Sequence, residues 1–190
     1  MLAGLLLRQA IMDTWGAEPL HFDFNFNSCG KPALTGRSDF HFNLSHAGSW
    51  VVCAIAEHPV GVDVEKMEAV DFASLAQLVF SVDEHKRLHS KSGPEQMDYF
   101  FDVWTMKESY CKAVGQGLSI ALEKLIITTD DQGRVLIAPH GKEPWRLQRY
   151  NVEDGYKLTV CADHETFPED VKLINWHDLT GCRVSEEGRM

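Results

Sequence analysis

The stretch EQMDYFFDVWTMKESYCKAVG, residues 95–115, is the longest helix candidate in the chain. Gly93 and Pro94 stand at its entrance, and Gly115 and Gly117 follow it, which are residue types that favour the two ends of a helix. At about 100° per residue, its apolar side chains fall along two stripes of the helix surface. The stretch therefore predicts a long helix with two apolar stripes and one polar sector.

Glu108 lies in the middle of one apolar stripe, between Trp104 and Cys111. A lone carboxylate among apolar side chains is unfavourable, so Glu108 needs a partner. An ion pair with Lys112, four residues later, is one candidate, although it does not explain why the acid lies on the apolar stripe. Lys107 also lies on the apolar side, where a lysine can extend its ammonium to solvent. Glu108 is therefore a candidate functional residue, with the ion pair as the structural alternative.

The rest of the chain alternates between strand-like runs and short helices. Strands are predicted over residues 20–27, 40–45, 50–56, 60–64, 125–129, 135–138, 145–150 and 156–162, and further helices over 2–15, 71–80 and 83–90. Residues 50–56 are apolar throughout, which is typical of a strand buried on both faces. The order of helix, strands, helices and strands favours an α+β fold.

A pair of acids lies in VGVDVE, residues 60–65. Successive side chains of a strand point to opposite faces, so Asp63 and Glu65 project side by side. Like charges this close repel, and they need a cation or raised pKa values. Mg²⁺ is held by one or two carboxylates together with substrate phosphates, so the pair is a candidate metal site. The alternative is the end of a strand exposed to solvent.

Two further motifs carry polar groups, FNLSH at residues 42–46 and GKP at 30–32. Ser45 and His46 end an alternating run, where they could donate to a phosphate or simply begin a turn. A hydrolase that uses them as nucleophile and base is a weaker hypothesis, because adjacent residues on a strand point apart. Lys31 is one cation in a turn and indicates little alone.

Composition excludes several classes of protein. The chain has 190 residues, with 18 Lys and Arg against 28 Asp and Glu, and a net charge of −10. Such a chain is a poor candidate for binding nucleic acid, which requires a basic face. The five cysteines form no CxxC pair, which favours a reducing cytoplasm. No apolar run approaches the length of about 18 residues that a membrane span needs, so we expect no membrane association.

Together these motifs resemble the Sfp-type 4′-phosphopantetheinyl transferases, the family that activates surfactin synthetase. The family pattern occurs in order as GKP at 30–32, FNLSH at 42–46, GVDVE at 61–65, WTMKESYCK at 104–112 and GQGLS at 115–119. The acidic pair and the WxxKESxxK motif at this spacing are its most specific part. The similarity continues through residues 154–170 and so covers nearly the whole chain.

The resemblance implies a pseudo-dimer of two similar α/β halves, residues 1–57 and 58–190, with coenzyme A in the cleft between them. Such enzymes move the 4′-phosphopantetheine arm of coenzyme A to a serine hydroxyl of an acyl or peptidyl carrier protein, depend on Mg²⁺, and release adenosine 3′,5′-bisphosphate. Two covalently joined halves also suggest a monomer.

By position, Asp63, Glu65 and Glu108 match the family's Mg²⁺ ligands. Glu108 is also the family-based candidate for the general base that takes the serine proton, directly or through water. Lys112 matches the lysine that contacts the pyrophosphate and helps the leaving group.

The resemblance also implies which residues contact the phosphates of coenzyme A and the carrier protein. Lys31, Ser45 and His46 match residues around the phosphates of coenzyme A. Residues 72–90, which include Leu78 and would also serve as core, correspond to the segment that receives the carrier helix.

One departure from the family is at the start of the chain. Family members usually begin some tens of residues earlier, with an opening strand, whereas this sequence starts at Met1 inside the first helix. We therefore expect an incomplete N-terminal half without that strand, lower stability and weaker binding of coenzyme A. The alternative function is a truncated, non-catalytic homologue that binds coenzyme A or a carrier protein, against which the acids and Lys112 argue.

Overall fold

The computed structural model describes residues 2–15, 23–139, 141–163 and 166–180 and has the α+β fold that the sequence predicts. Its helices are α1 (Leu2–Trp15), α2 (Phe72–Val79), α3 (Val82–His89), α4 (Gly93–Val114) and α5 (Trp176–Thr180). Its strands are β1 (Phe24–Phe26), β2 (Pro32–Leu34), β3 (His41–Ala47), β4 (Trp50–Ala56), β5 (Val60–Lys66), β6 (Leu125–Thr129), β7 (Val135–Pro139), β8 (Trp145–Tyr150) and β9 (Tyr156–Ala162). Most predicted elements are confirmed to within a few residues, and residues 20–22 of the first predicted strand lie outside the described residues.

Helix α4 crosses an antiparallel sheet of five strands in the order β5-β9-β8-β7-β6. It approaches β5 closely at Gly61, where a Cβ atom would overlap the backbone of Ser109 and Ala113. Since glycine alone has no Cβ, only it lets the helix backbone rest directly on the strand. This contact fixes how β5 and the second half of α4 face each other.

The two halves of α4 pack on different partners. The second half, which includes Met106 and Tyr110, packs on sheet residues such as Ile137 and Leu147. The first half, around Phe100, packs on α2 and α3. The helix is therefore buried between the sheet and a helical layer, as its apolar pattern requires.

The first half of the chain is smaller. Strands β3 and β4 form an antiparallel hairpin, and β1 pairs with β2. Helix α1 covers the hairpin, with Leu7 and Ile11 in a core shared with Phe40 and Phe42. The chain thus has two parts of the same kind, each with a helix on antiparallel strands.

Side chains join the two halves where β3 runs beside β5. Asn43 Oδ1 accepts a hydrogen bond from the Val62 backbone N–H at 2.8 Å, and Ser45 Oγ accepts one from the Val64 N–H at 3.3 Å. Strand β5 is the edge of its sheet, so these N–H groups need partners outside it. The side chains of β3 therefore accept the backbone hydrogen bonds that a neighbouring strand would otherwise accept.

The prediction that residues 50–56 are buried on both faces is wrong. None of the seven residues of β4 is fully buried, and Ile55 is 39% exposed. Among the described strands β4 pairs with β3 alone, and it borders an apolar cavity of about 790 Å³ between α1 and residues 166–179. An apolar sequence indicates that a strand favours a buried environment. How many strands or helices cover it depends on the fold.

The interpretation that Lys107 can extend its ammonium to solvent is also wrong. Its side chain is 0% exposed, and Nζ donates to Glu84 Oε2 at 2.6 Å, to the Val79 carbonyl at 2.8 Å and to the Leu122 carbonyl at 2.9 Å. Burial lowers the pKa of Lys107, and Glu84 opposes that shift. The buried ion pair ties α4 to the junction of α2 and α3.

None of the helices in the described part of the chain is both long and apolar enough to cross a membrane.

Replacing Lys107 tests the buried ion pair. Lys107→Met removes the cation and leaves Glu84 and two carbonyl groups without their donor, so we expect a loss of about 3–5 kcal/mol in the free energy of unfolding. Urea denaturation followed by circular dichroism measures it. The matched control is Lys86→Met, because Lys86 pairs with Asp83 at the surface with both side chains more than 70% exposed, and we expect little change there. Equal stability of the two variants would contradict this account.

Candidate functional site

Three elements meet at a polar cluster beside the Gly61 contact. Helix α4 supplies Glu108 and Lys112, which share a face because they are four residues apart. Strand β5 supplies Asp63 and Glu65, and strand β3 supplies Ser45. The structure thus brings together five of the seven predicted site residues.

Lys112 is the cation at the centre of this cluster. Its Nζ donates to Asp63 Oδ1 at 2.5 Å and to Ser45 Oγ at 2.9 Å. Ser45 in turn donates its hydroxyl proton to Asp63 Oδ1 at 3.2 Å. The ammonium therefore makes its ion pair with Asp63, across two elements, and the alternative pairing of Lys112 with Glu108 is wrong.

Asp63 is the most deeply buried acid of the cluster, at 2% exposure. Burial raises the pKa of Asp63 to about 7; Lys112 opposes this, and the charges of Glu65 and Glu108 add to it. Its second oxygen, Oδ2, is buried and has no hydrogen-bond partner among the residues that the structure describes. Leaving a buried acceptor without a partner destabilises a fold by about 1–3 kcal/mol, so such an atom indicates a functional role.

Glu108 is half-buried on its apolar stripe. Burial raises the pKa of Glu108; the charge of Lys112 opposes the shift, and that of Glu65 adds to it. The carboxyl is therefore poised to hold a proton more readily than an exposed glutamate. This is the property that a general base working near neutral pH requires.

Trp104 holds the Glu65 side chain of the cluster in place. Its indole N–H donates to Glu65 Oε1 at 3.2 Å. Sequence reasoning placed Trp104 on the apolar stripe and missed this role. The available signal was the indole N–H, which needs an acceptor when the ring is buried, and its position four residues before Glu108.

The donor chemistry of the cluster fits a hard divalent cation. Asp63, Glu65 and Glu108 offer carboxylate oxygens, which Mg²⁺ prefers, and Asp63 Oδ2 is a buried oxygen that accepts no hydrogen bond from the described residues. Within the described residues no three acidic, histidine or cysteine side chains already enclose a common point. The charges of Glu65 and Glu108 raise the pKa of Asp63, and the charge of Glu65 raises the pKa of Glu108, so the three carboxylates lie close together.

A cavity of about 290 Å³ opens next to the cluster. It is lined by Cys29, Gly30, Lys31, Pro32, Asn43, Glu108, Cys111, Lys112, Gly115, Gly117 and Leu122. Three predicted site residues, Lys31, Glu108 and Lys112, therefore face the same space. Asn43 is a fourth polar residue of this wall that sequence reasoning missed, although strand alternation places it on the same face as Ser45.

Lys31 has a structural task at the edge of this cavity. Its ammonium donates to the Ala113 carbonyl at 2.6 Å and to the Val60 carbonyl at 3.1 Å, and burial lowers the pKa of Lys31 to about 8. It thus fastens the end of α4 to the start of β5. Gly115 makes room for this contact, since a Cβ there would lie 2.7 Å from the Lys31 side chain.

His46 is the predicted residue that the structure places apart. It is exposed on the face of β3 opposite Ser45, and it does not line the cavity. Because the Ser45 hydroxyl donates to Asp63 and the two side chains point apart, the hypothesis of a Ser45–His46 hydrolase is wrong.

The segment 72–90 divides between core and surface. Phe80 and Leu88 are buried, at 3% and 1% exposure, so these two serve as core. Leu78 and Val82, on either side of the turn between α2 and α3, are 71% and 73% exposed. These two are therefore exposed apolar side chains of the segment.

Comparison with known proteins gives consistent matches. The model of the 4′-phosphopantetheinyl transferase superfamily matches residues 59–161. A 4′-phosphopantetheinyl transferase, Sfp, from Bacillus subtilis is 36% identical over 180 residues, which cover 94% of this chain and 80% of the relative. A second, gsp from Aneurinibacillus migulanus, is 35% identical over 85% of this chain and 67% of the relative.

Solved structures match more distantly. A holo-(acyl-carrier-protein) synthase from Bacillus anthracis, in complex with CoA (3′,5′-ADP), aligns with a TM-score of 0.47 and 15% sequence identity. The alignment covers 54% of this chain and 92% of that chain.

The buried carboxyl of Asp63 predicts a pH dependence of stability. Since the pKa of Asp63 is raised from 3.8 to about 7, the folded protein binds this proton more tightly than the unfolded chain does. The resulting stabilisation is complete below the unfolded pKa of 3.8 and is lost as the pH rises through about 7. We expect Asp63→Asn to remove this pH-dependent stabilisation. The unfolding free energy of wild type should therefore fall relative to that of the variant as the pH rises from 3.8 to about 7, and the difference should then stay constant.

Urea denaturation in EDTA at a series of pH values measures the difference in unfolding free energy between the two proteins. A difference that stays constant from pH 4 to pH 7 would show that the pKa of Asp63 is not raised.

Proposed function

The chain belongs to the 4′-phosphopantetheinyl transferase superfamily, and we propose that it transfers the 4′-phosphopantetheine arm of coenzyme A to a serine hydroxyl of an apo acyl or peptidyl carrier protein. It is an enzyme of the transferase class. The observation that carries the proposed chemistry is the meeting of Asp63, Glu65, Glu108 and Lys112 beside one cavity. The second product would be adenosine 3′,5′-bisphosphate.

Asp63, Glu65 and Glu108 are the residues that would hold Mg²⁺. When bound there, the ion would neutralise charge on the pyrophosphate of coenzyme A and polarise its phosphoryl oxygens. Ser45 keeps the Asp63 carboxyl in place through its hydroxyl group, and Trp104 does the same for Glu65. These two are therefore positioning residues for the metal ligands.

Phosphoryl transfer requires positioning and charge neutralisation more than covalent help from the enzyme. The serine oxygen of the carrier forms a bond to the phosphorus that bears pantetheine. The bond from that phosphorus to the oxygen it shares with the adenosine-side phosphate breaks, and this oxygen leaves with its electron pair. Glu108 takes the serine proton, directly or through water, and its raised pKa suits this role. Lys112 lies beside Glu108 to stabilise the leaving phosphate.

Lys31, Ser45 and His46 complete the proposed contacts with the phosphates of coenzyme A. Lys31 lines the cavity and carries its positive charge at the wall. His46 is exposed on the outer face of β3, so any phosphate that it contacts lies outside the cavity. The exposed Leu78 and Val82 are the proposed contact for the carrier protein.

Intact-mass spectrometry of an apo carrier protein tests the reaction. Incubation with this chain, coenzyme A and Mg²⁺ should add the mass of one phosphopantetheine group, and EDTA should abolish the gain. No gain with Mg²⁺, together with retained binding of coenzyme A, would instead identify a non-catalytic homologue.

Glu108→Gln tests the assignment of the base. The amide keeps the size of the side chain and cannot accept the proton, so we expect kcat to fall by about 10²–10⁴-fold. The matched control is Glu95→Gln, an exposed acid in the first turn of the same helix, which should keep wild-type turnover. Turnover of Glu108→Gln at the level of the control would remove Glu108 from the mechanism.

A further inference from the structure

The acidic cluster of Asp63, Glu65 and Glu108 already contains a cation, the ammonium group of Lys112. Lys112 Nζ lies 2.5 Å from Asp63 Oδ1 and 2.9 Å from Ser45 Oγ. Three carboxylates so close together repel one another, and one ammonium neutralises a third of their charge. Lys112 is thus bound to the same carboxyl group that the proposed function gives to the metal.

We infer that Lys112 occupies the cation position of the acidic cluster in the free protein and is displaced from Asp63 when a divalent cation binds. This inference rests on the metal role proposed above. It concerns the order of events in the site: the lysine becomes available to a phosphate group once the metal has taken its place at Asp63.

Electrostatics makes the two cations competitors. A divalent ion bound to Asp63 would lie within a few ångströms of the Lys112 ammonium, where like charges repel strongly in a partly buried site. Asp63 also offers Oδ2, which is buried and accepts no hydrogen bond within the described part of the chain. A metal that binds through this oxygen gains an acceptor that Lys112 does not use, and it weakens the lysine's hold on Oδ1.

The Lys112 side chain has space to move away from Asp63. Its side chain is 29% exposed, against 3% for Asp63, and it lines the cavity of about 290 Å³ next to the cluster. A lysine ammonium is a compact charge on a flexible chain, so rotation of that chain can carry it into the cavity without movement of α4. An anionic group in the cavity would then receive it.

Metal binding in the absence of coenzyme A tests this competition. We would titrate the full chain with Mn²⁺ at about pH 8.5, where free carboxylates are ionised, and follow unbound Mn²⁺ by electron paramagnetic resonance. Lys112→Met removes the competing ammonium, so we expect its Kd for Mn²⁺ to be about tenfold lower than that of wild type. Lys112→Arg keeps a cation next to Asp63 and should bind Mn²⁺ as wild type does.

Lys31→Met is the matched control for the loss of a lysine from this cavity. It removes a second lysine from the cavity wall without freeing Asp63, because Lys31 Nζ donates to the Val60 and Ala113 carbonyls. We expect a smaller effect on Mn²⁺ affinity than that of Lys112→Met. Circular dichroism confirms that each variant is folded before titration.

A second readout is thermal stability. Lys112→Met leaves Asp63 buried without its ion pair, so the Tm of the variant in EDTA should be lower than that of wild type. Addition of Mn²⁺ should raise the Tm of the variant by more than it raises the Tm of wild type.

The outcomes separate the inference from the proposed function. Equal Mn²⁺ affinity of wild type and Lys112→Met, or an equal gain in Lys31→Met, would overturn the inference and leave the metal role in place. Absence of Mn²⁺ binding by every variant would overturn the metal role and the inference with it.

Discussion

The direct contact between α4 and β5 at Gly61 is the constraint on which the site depends. Because a Cβ atom there would overlap the backbone of Ser109 and Ala113, any other residue would push the helix away from the strand. Asp63 lies two residues along β5 from this contact, and Glu108 and Lys112 of α4 come immediately before the contact residues Ser109 and Ala113. An ion pair of 2.5 Å between Asp63 and Lys112 is possible only while the two elements touch. The chemistry of the cluster is therefore set by the packing of one helix on one edge strand.

The first half of the chain completes the site by closing that edge. Asn43 and Ser45 satisfy the backbone N–H groups of Val62 and Val64, and Ser45 also bonds to Asp63 and Lys112. One short strand thus joins the halves and orders the charged groups between them. Burial is the main cause of the raised pKa values of Asp63 and Glu108.

Local pattern predicted nearly every element, because periodicity is a property of neighbouring residues. The helix around Trp104 and the strand around Asp63 are where their apolar spacing places them. The errors concern contacts between residues far apart in the chain. The partner of Lys107 is 23 residues away, and that of Lys112 is 49 residues away, so no local pattern could identify either. The half-exposed state of β4 likewise depends on which strands lie beside it.

We propose that coenzyme A and a divalent metal meet at the acidic cluster of Asp63, Glu65 and Glu108. The most direct test is a crystal structure with Mn²⁺ and coenzyme A, in which anomalous scattering locates the metal. The account predicts a peak bound to Asp63 and its two acidic neighbours, with the pyrophosphate in the cavity beside Lys112. A metal peak elsewhere, or coenzyme A bound away from Lys112 and Glu108, would contradict it.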